Sequence, residues 1–313
     1  MRLHEAHFNF DNVYAAAASN NAFDCLEGAY LRDFFVALRK QLGSAFNKWR
    51  FLVIHHNQKY GPPPLRISGK DTVLLWLSDE TAHVPLELSD SFKLILKSYW
   101  PHQTSIDNIH PFPLCGCSEV LSSTPIPLSS RKVSVFFSGN LNANRLDFFR
   151  QFSWLRKFPP FDIASYSLRL GLLKAMKVLP VKIDRDYSSS FNNAYIHFTN
   201  GFKQGLSPNT YADLLSQSKI ALCPAGFQSP ETIRHFEAMR LGCIVISSPL
   251  PQNQFYQNSP IIQIQSWRKL YEAIGKLLAD HDEMMRLSSK TLAWWEAHCS
   301  PRAISTIAEK FLR

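Results

Sequence analysis

The chain has 313 residues, of which 45% are hydrophobic and 19% are charged. This composition is typical of a packed globular protein and excludes a disordered one, and the length is sufficient for two ordinary domains. Lys and Arg outnumber Asp and Glu by 34 to 25, and the net charge of +9 predicts an anionic partner. Because no basic run of about five to eight residues occurs, we expect nucleotide phosphates or an acidic membrane surface and no nucleic acid.

The six cysteines contain no CxxC pair. Cys223 and Cys243 fall within apolar runs, which predicts buried, reduced thiols and a reducing compartment. No window approaches about 18 uninterrupted apolar residues, and the N-terminus lacks the apolar core of a signal peptide. We therefore expect a cytoplasmic protein that can associate peripherally with the inner membrane surface.

The first half of the chain predicts an α/β domain. A helix is indicated over residues 29–43 by apolar side chains at helical spacing. Short apolar runs at 50–56, 72–80 and 92–100 predict strands that are buried on both faces, as parallel sheets require.

A segment rich in Pro, Ser, Gly and Cys, residues 109–131, has the composition of a linker between domains. We accordingly predict one domain over residues 1–125 and a second over residues 126–300. The last segment, 301–313, is predicted to be a helix that packs back on the first domain.

After the linker, the alternation of strands and helices begins again. The sequence predicts a strand over Val133–Phe137, followed by Gly139 and by a helix that begins near Asn142 or Asn144. A strand, a glycine turn and a helix start present backbone N–H groups to a phosphate, so Gly139 is a candidate phosphate contact. A tight turn without a ligand is the alternative.

The remainder alternates helices and short buried strands, which is the pattern of βαβ units on a parallel sheet. We therefore predict two Rossmann-like domains that face a cleft. The predicted helices cover 210–219, 229–242 and 266–290, and the predicted strands cover 220–224, 243–248 and 261–265.

A predicted helix begins at Ser229, where the serine oxygen is suited to the N-cap and Pro230 to the first helical position. It follows a turn containing Gly226, so it should open at the carboxyl edge of the sheet, where ligands of doubly wound folds bind. The hydroxyls of Ser229 and Thr232 would then point at an anion.

Arg234 and Glu237 lie three residues apart on this helix and share a face. Arginine can hold a diphosphate by paired N–H donors, and a carboxylate can accept from both hydroxyls of a ribose. The ordinary alternative is a surface ion pair without a function.

The ordered pattern YADLLSQSKIALCPAGFQSPETIRHFEAMRLGCIVISSPLP, residues 211–251, resembles the donor-nucleotide half of exostosin-like glycosyltransferases. The segment SGNLNANR, residues 138–145, is similar to a second block of that family. The family's proline in the strand that follows is Val245 here.

This resemblance implies the GT-B fold, with parallel sheets in two Rossmann-like domains facing a cleft. The domain over residues 1–125 would bind the acceptor, and the domain over residues 126–300 would bind the nucleotide sugar. The resemblance also implies transfer of a sugar, with inversion, from a UDP-, GDP- or CMP-sugar to a saccharide or lipid-linked saccharide acceptor. Glu237 would contact the ribose, and Arg234 and Arg145 would contact the diphosphate. The expected role is polysaccharide or glycan assembly.

An inverting transfer needs a base for the acceptor hydroxyl. Glu80 and Asp79 follow a buried strand and should face the cleft, although an acidic residue there can also serve only as a turn or helix cap. His55, His56 and His110 are rival candidates. We expect no required metal, because arginine, lysine and helix ends can stabilise the leaving diphosphate; this expectation assumes that no Asp-x-Asp pair holds a metal at the site.

Lys203 lies in a loop between two glycines and is either a further phosphate contact or a solvated side chain. Trp294 and Trp295 could stack on sugar rings, but their helical spacing favours anchoring the last helices to the core. Other interpretations of the whole chain remain open: a nucleotide-sugar epimerase of the same architecture, and a noncatalytic saccharide-binding protein.

Overall fold

The structure of the chain is a computed structural model. It describes residues 10–15, 22–55, 65, 67–100, 106–157, 159–178, 185–201 and 204–313. Among these residues, no helix is both long enough and apolar enough to cross a membrane.

The first half is built on a sheet whose described strands are all parallel and follow one another in chain order. The central strands are almost entirely apolar and buried on both faces. The strands are β1 (Val13–Ala15), β2 (Arg50–His55), β3 (Gly69–Leu77), β4 (Phe92–Lys97) and β5 (Ile109–Pro111).

Helix α1 (Gly28–Leu42) covers this sheet with a face of buried aromatic and aliphatic side chains that includes Tyr30, Phe34 and Phe35. The apolar spacing read from the sequence therefore predicts this helix correctly. The segment expected to be a linker is partly ordered, because it contains β5 and a short helix, α2 (Ser118–Ser122).

The second half is built on a sheet with the strand order β11-β10-β9-β6-β8-β7, in which only the pairing of β7 with β8 is antiparallel among the described strands. Its strands are β6 (Val133–Asn140), β7 (Arg185–Asp186), β8 (Tyr195–Thr199), β9 (Ser218–Cys223), β10 (Ile244–Ser247) and β11 (Ile262–Gln263).

Helices surround this sheet and continue to the C-terminus. They are α3 (Leu146–Arg150), α4 (Tyr166–Val178), α5 (Pro208–Ser216), α6 (Ile233–Arg240), α7 (Leu270–Ala279), α8 (His281–His298) and α9 (Pro301–Leu312). The α/β class is thus confirmed, as is the parallel arrangement of both sheets apart from the pairing of β7 with β8, whereas the exact domain limits stay a prediction.

The C-terminal helices join the two halves. Helix α9 packs along α1, and the indole Nε1 of Trp49 donates to the carbonyl of Leu312 at 3.1 Å. The hydroxyl of Tyr30 donates to the carbonyl of Cys299. Trp294 and Trp295 are buried in the same core, so they anchor the helices and present no ring to a sugar.

Helix α6 begins three residues later than the sequence predicts. Its N-cap is Thr232 and not Ser229, because the backbone N–H of Thr232 bonds to the ring Nδ1 of His235 in a capping box. The oxygen of Ser229 instead accepts from the backbone N–H of Glu231 at 3.1 Å. Residues 224–231 therefore form a loop ahead of the helix.

Candidate functional site

The strand order of the second sheet reverses its direction at β6. Strand β6 lies between β8 and β9, so the chain builds outward from β6 first in one direction and then in the other. In open parallel sheets, ligands bind at the carboxyl ends of the two strands where this reversal occurs. In this chain the two strand ends are those of β6 and β9.

Arg145 bridges these two strand ends. Its Nη1 donates to the backbone oxygen of Asn140 at 2.9 Å and to its side-chain oxygen at 3.0 Å, while its Nε donates to the carbonyl of Ala225 at 2.9 Å. The residue is only 7% exposed. The side-chain oxygen of Asn142 accepts from the backbone N–H of Arg145 and begins the turn that positions it.

Arg234 reaches the same place from α6. Its Nη2 donates to the carbonyl of Ser138, and its guanidinium lies 4.7 Å from the ring centre of Phe137. A Cβ added at Gly139 would lie 3.0 Å from Nη2 of Arg234 and 3.2 Å from Nη1 of Arg145. The absence of a side chain at Gly139 therefore allows both guanidinium groups to pack against the end of β6.

Hydrogen-bond donors of Arg234 and Asn142 remain unused beside the two buried cations. Nε and Nη1 of Arg234 and Nδ2 of Asn142 are buried and have no partner among the residues that the structure describes. Burial, together with the charge of Arg234, lowers the pKa of Arg145 to about 9. Because buried polar groups are normally hydrogen-bonded and buried charges are normally paired, this arrangement is suited to an anion.

Glu80 approaches this region from the first half of the chain. Its Oε2 accepts from the backbone N–H of Gln228 at 3.1 Å. On the other side of the loop, Nδ2 of Asn144 donates to the carbonyls of Gly226 at 3.2 Å and of Phe227 at 2.8 Å. The loop that contains Gly226 thus lies between Glu80 and the start of the turn that carries Arg145.

Gly226 makes this loop tight, since a Cβ there would lie 3.0 Å from the carbonyl oxygen of Ser229. Its N–H donates to that same oxygen at 2.8 Å. Gly226 and Ser229 therefore have structural roles in the loop, and Thr232 caps α6. Lys203 lies outside the described residues.

Asp79 is one of the two residues that the sequence suggests as the base, but its contacts do not suit that role. Its side chain is completely buried and accepts from Nζ of Lys97 at 2.9 Å, from the backbone N–H of His83 at 3.1 Å and from Thr81. The Lys97 side chain is equally buried, and burial lowers its pKa. Asp79 neutralises this lysine and holds the turn that presents Glu80.

Replacing Asp79 with alanine should destabilise the protein by about 3 to 5 kcal/mol, because it leaves the buried charge of Lys97 unpaired. Denaturant unfolding measures the loss. Asp71→Ala is the control, since Asp71 pairs with Arg50 at an exposed site, and its effect should be much smaller. Equal losses in the two variants would contradict the role given to Asp79.

Glu237 is enclosed by protein groups. Its Oε1 accepts from the backbone N–H of Cys117 at 2.9 Å, and its Oε2 accepts from the hydroxyl of Tyr211 at 2.8 Å. It is 3% exposed, and burial raises its pKa. A ribose would reach this carboxylate only after the segment around Cys117 moved away, so the ribose contact stays a prediction that this conformation does not favour.

Two of the rival histidines, His110 and His55, lie within the described residues. His110 lines a cavity of about 1040 Å³ together with Trp100, Phe255 and Phe311, and none of the predicted donor-binding residues lines it. Burial lowers the pKa of His110. His55 ends β2 at the carboxyl edge of the first sheet. His56 lies outside the described residues.

The expectation of a metal-free site assumed that no Asp-x-Asp pair contributes, and the chain does contain two such triplets, at 184–186 and 280–282. Asp280 is the N-cap of α8, and the carboxylate of Asp186 accepts from the N–H and the hydroxyl of Ser188. Asp184 lies outside the described residues. The presence of these triplets removes the sequence argument against a metal.

Glu231 is a buried acid that the sequence analysis missed. It is 3% exposed, and its Oε1 accepts from the hydroxyl of Tyr256. Burial raises the pKa of this carboxyl to about 7 from its ordinary value of 4.5. Glu231 lies in a polar loop segment, and no pattern in the sequence of that segment indicates that its side chain is buried.

Stability should therefore depend on pH through Glu231. Its folded-state pKa is raised, so the stabilising contribution is complete below about pH 4.5 and is lost as the pH rises through about 7, by about 3 kcal/mol. Glu231→Gln should have nearly the wild-type Tm at pH 5 and a higher Tm than wild type at pH 8. Glu296→Gln, at an exposed site, is the control. A Tm difference that does not change with pH would contradict this assignment.

No protein-family model matches the sequence, and no curated protein matches it. Among solved structures, an alpha-glucosyltransferase in complex with UDP-glucose and DNA is 13% identical, with 96% of this chain and 90% of that chain covered and a TM-score of 0.46. The HepE protein of Anabaena with UDP-glucose is 11% identical, over 76% and 72%, with a TM-score of 0.43.

Sucrose-phosphate synthase of Thermosynechococcus elongatus is 13% identical, over 93% of this chain and 78% of that chain, with a TM-score of 0.46. These similarities are too distant to assign an activity or a residue role to this chain. Membership of the exostosin-like family stays a prediction.

Proposed function

We propose that the chain is a glycosyltransferase of GT-B architecture that uses a nucleotide sugar as its donor. The observation that supports this most strongly is the pair of buried arginines, Arg145 and Arg234, at the reversal of strand order in the second sheet. The unused donors of Arg234 and of the neighbouring Asn142 suit the diphosphate of a nucleotide sugar. The two parallel sheets and the resemblance of residues 211–251 to donor-binding segments agree with this function.

The diphosphate would lie against Arg145 and Arg234, with Nε and Nη1 of Arg234 and Nδ2 of Asn142 as donors to its oxygens. Arginine forks match phosphate oxygens geometrically, and their charge is most effective where water is excluded. Gly139 makes room for this arrangement. Binding of the dianion would also relieve the repulsion between the two guanidinium groups.

Glu80 is the proposed base. It lies at the carboxyl edge of the first sheet and already touches the loop of the second half. The acceptor hydroxyl would give its proton to Glu80 while its oxygen attacks the anomeric carbon from the face opposite the diphosphate. The bond from that carbon to the phosphate oxygen breaks, and its electron pair leaves with the diphosphate, so the configuration inverts.

The acceptor is proposed to be a saccharide or a lipid-linked saccharide, and the net charge of +9 would favour an anionic membrane face that carries such a lipid. A nucleotide-sugar epimerase would bind the same donor, but it would change the sugar without any acceptor. A noncatalytic binding protein would leave the donor intact.

The test of the proposed function is a thermal-shift panel of UDP, GDP, CMP, ADP and dTDP with their common sugars. A ligand that binds only the native state raises the Tm by mass action. We expect one nucleotide class to raise the Tm of the wild type and to have no effect on a variant that combines Arg145→Met with Arg234→Met. An absence of any shift with the wild type would overturn the proposal.

A further inference from the structure

A cysteine, a glutamate and a histidine that are distant from the arginine pair in sequence come together at the edge of the first sheet. One ligand atom from each of Cys25, Glu27 and His55 lies within 4.8 Å of the other two. Cys25 and Glu27 precede α1, whereas His55 is the last residue of β2. We infer that these three side chains form a binding site for a divalent transition metal, with Zn²⁺ as the best-matched ion.

Two polar atoms of this cluster have no hydrogen-bond partner among the residues that the structure describes. Glu27 is 1% exposed, and its Oε1 accepts from the hydroxyl of Ser78 at 2.9 Å. Its Oε2 is buried and has no partner among the described residues, and the same holds for Nε2 of His55. A buried carboxylate oxygen and a buried ring nitrogen that face one thiol, without hydrogen bonds of their own, are suited to a shared cation.

The ligand types favour zinc over harder cations. Ca²⁺ and Mg²⁺ prefer oxygen ligands, whereas a thiolate, an imidazole and a carboxylate together are typical of Zn²⁺. Three protein ligands leave the fourth tetrahedral position open to water or to a ligand. Ser78, which has a φ of 60° at the end of β3, holds the glutamate, as an outer-shell partner of a metal ligand does.

Binding of Zn²⁺ requires the thiolate of Cys25. Burial, together with the nearby carboxylate of Glu27, raises the pKa of this thiol to about 12. The thiol therefore gives up its proton to solvent when the metal–sulfur bond forms.

This site is independent of the proposed sugar transfer, because it needs neither the arginine pair nor a nucleotide. The experiment is a titration of the metal-free full chain with Co²⁺, followed by displacement with Zn²⁺. Tetrahedral Co²⁺ bound to a thiolate gives visible d–d bands and a near-ultraviolet sulfur-to-metal charge-transfer band. We expect one equivalent of Co²⁺ to produce both, and one equivalent of Zn²⁺ to abolish both.

Matched variants assign the bands to the cluster. Cys25→Ser should remove the charge-transfer band, and His55→Gln should weaken Zn²⁺ binding by at least about a hundredfold. Cys117→Ser and His83→Gln are the controls, because they change the same residue types outside the cluster. Circular dichroism verifies that each variant is folded.

Wild-type protein that gives no tetrahedral Co²⁺ spectrum would overturn the inference. A charge-transfer band that persists in folded Cys25→Ser protein would overturn it as well. Nucleotide-induced thermal shifts measured on the same metal-free protein report the donor site separately, so the failure of one proposal is distinguishable from the failure of the other.

Discussion

Replacing Arg234 with methionine is expected to weaken the binding of a nucleoside diphosphate by at least about a hundredfold. Each hydrogen bond to a charged group contributes about 1.5 to 3 kcal/mol, and Arg234 has two donors, Nε and Nη1, that are free to bind phosphate oxygens. Methionine keeps an apolar side chain of similar length over the ring of Phe137. Isothermal titration calorimetry with the nucleotide selected by the thermal-shift panel measures the change.

The same variant should not lower the Tm of the nucleotide-free protein and is expected to raise it. Arg234 is buried beside Arg145, whose pKa it helps to lower, so its removal relieves repulsion between like charges. The control is Arg286→Met, because Arg286 pairs with Glu283 on the surface of α8 and should affect neither quantity. Unchanged affinity in Arg234→Met would contradict the diphosphate contact, and a large loss of Tm would indicate that Arg234 has mainly a structural role.

Replacing Glu80 with glutamine is expected to reduce the rate of sugar transfer by about a hundredfold to ten-thousandfold, the usual contribution of a positioned general base. The affinity for the donor should stay within about twofold, because the glutamine oxygen can still accept from the N–H of Gln228. The amide cannot take the proton of the acceptor hydroxyl. Single-turnover measurements with a saturating donor separate the chemical step from binding.

Glu87→Gln is the control for this variant, because Glu87 is an exposed acidic residue near His83 in the same half of the chain. Full transfer activity in Glu80→Gln would remove Glu80 as the base. A loss of donor affinity equal to the loss of rate would instead assign Glu80 to donor binding.

The central strands were predictable because burial on both faces of a sheet requires a short, almost entirely apolar run of sequence. The main helices were predictable from apolar side chains at helical spacing. The runs that became β2, β3, β4, β9 and β10 are short, apolar and bounded by turn residues. The start of α6 was predicted wrongly, because Ser229 followed by Pro230 has the usual composition of a helix start. The capping box between Thr232 and His235 competes with it and prevails.

The site was predictable only in part. Gly139, Arg145 and Arg234 meet as the resemblance implies, since they lie in two segments that the parallel sheet brings to one edge. The burial of Asp79 and the enclosure of Glu237 depend on Lys97 and Cys117, which are distant in sequence. No spacing rule connects such contacts.

The cluster of Cys25, Glu27 and His55 shows the same limit for metal sites. Its residues lie 2 and 28 positions apart, which matches no sequence spacing typical of zinc sites, and only the fold brings the segment ahead of α1 next to the end of β2. The triplets at 184–186 and 280–282 show the reverse, because a familiar spacing occurs where Asp280 serves to cap a helix.

The location of the diphosphate is the central claim, and a crystal structure with the nucleoside diphosphate chosen by the thermal-shift panel tests it most directly. We predict phosphate oxygens within hydrogen-bond distance of Nε or Nη1 of Arg234, at the carboxyl ends of β6 and β9, with Arg145 beside them. A nucleotide bound with its phosphates away from both arginines, for example in the cavity lined by Trp100 and Phe311, would contradict the claim.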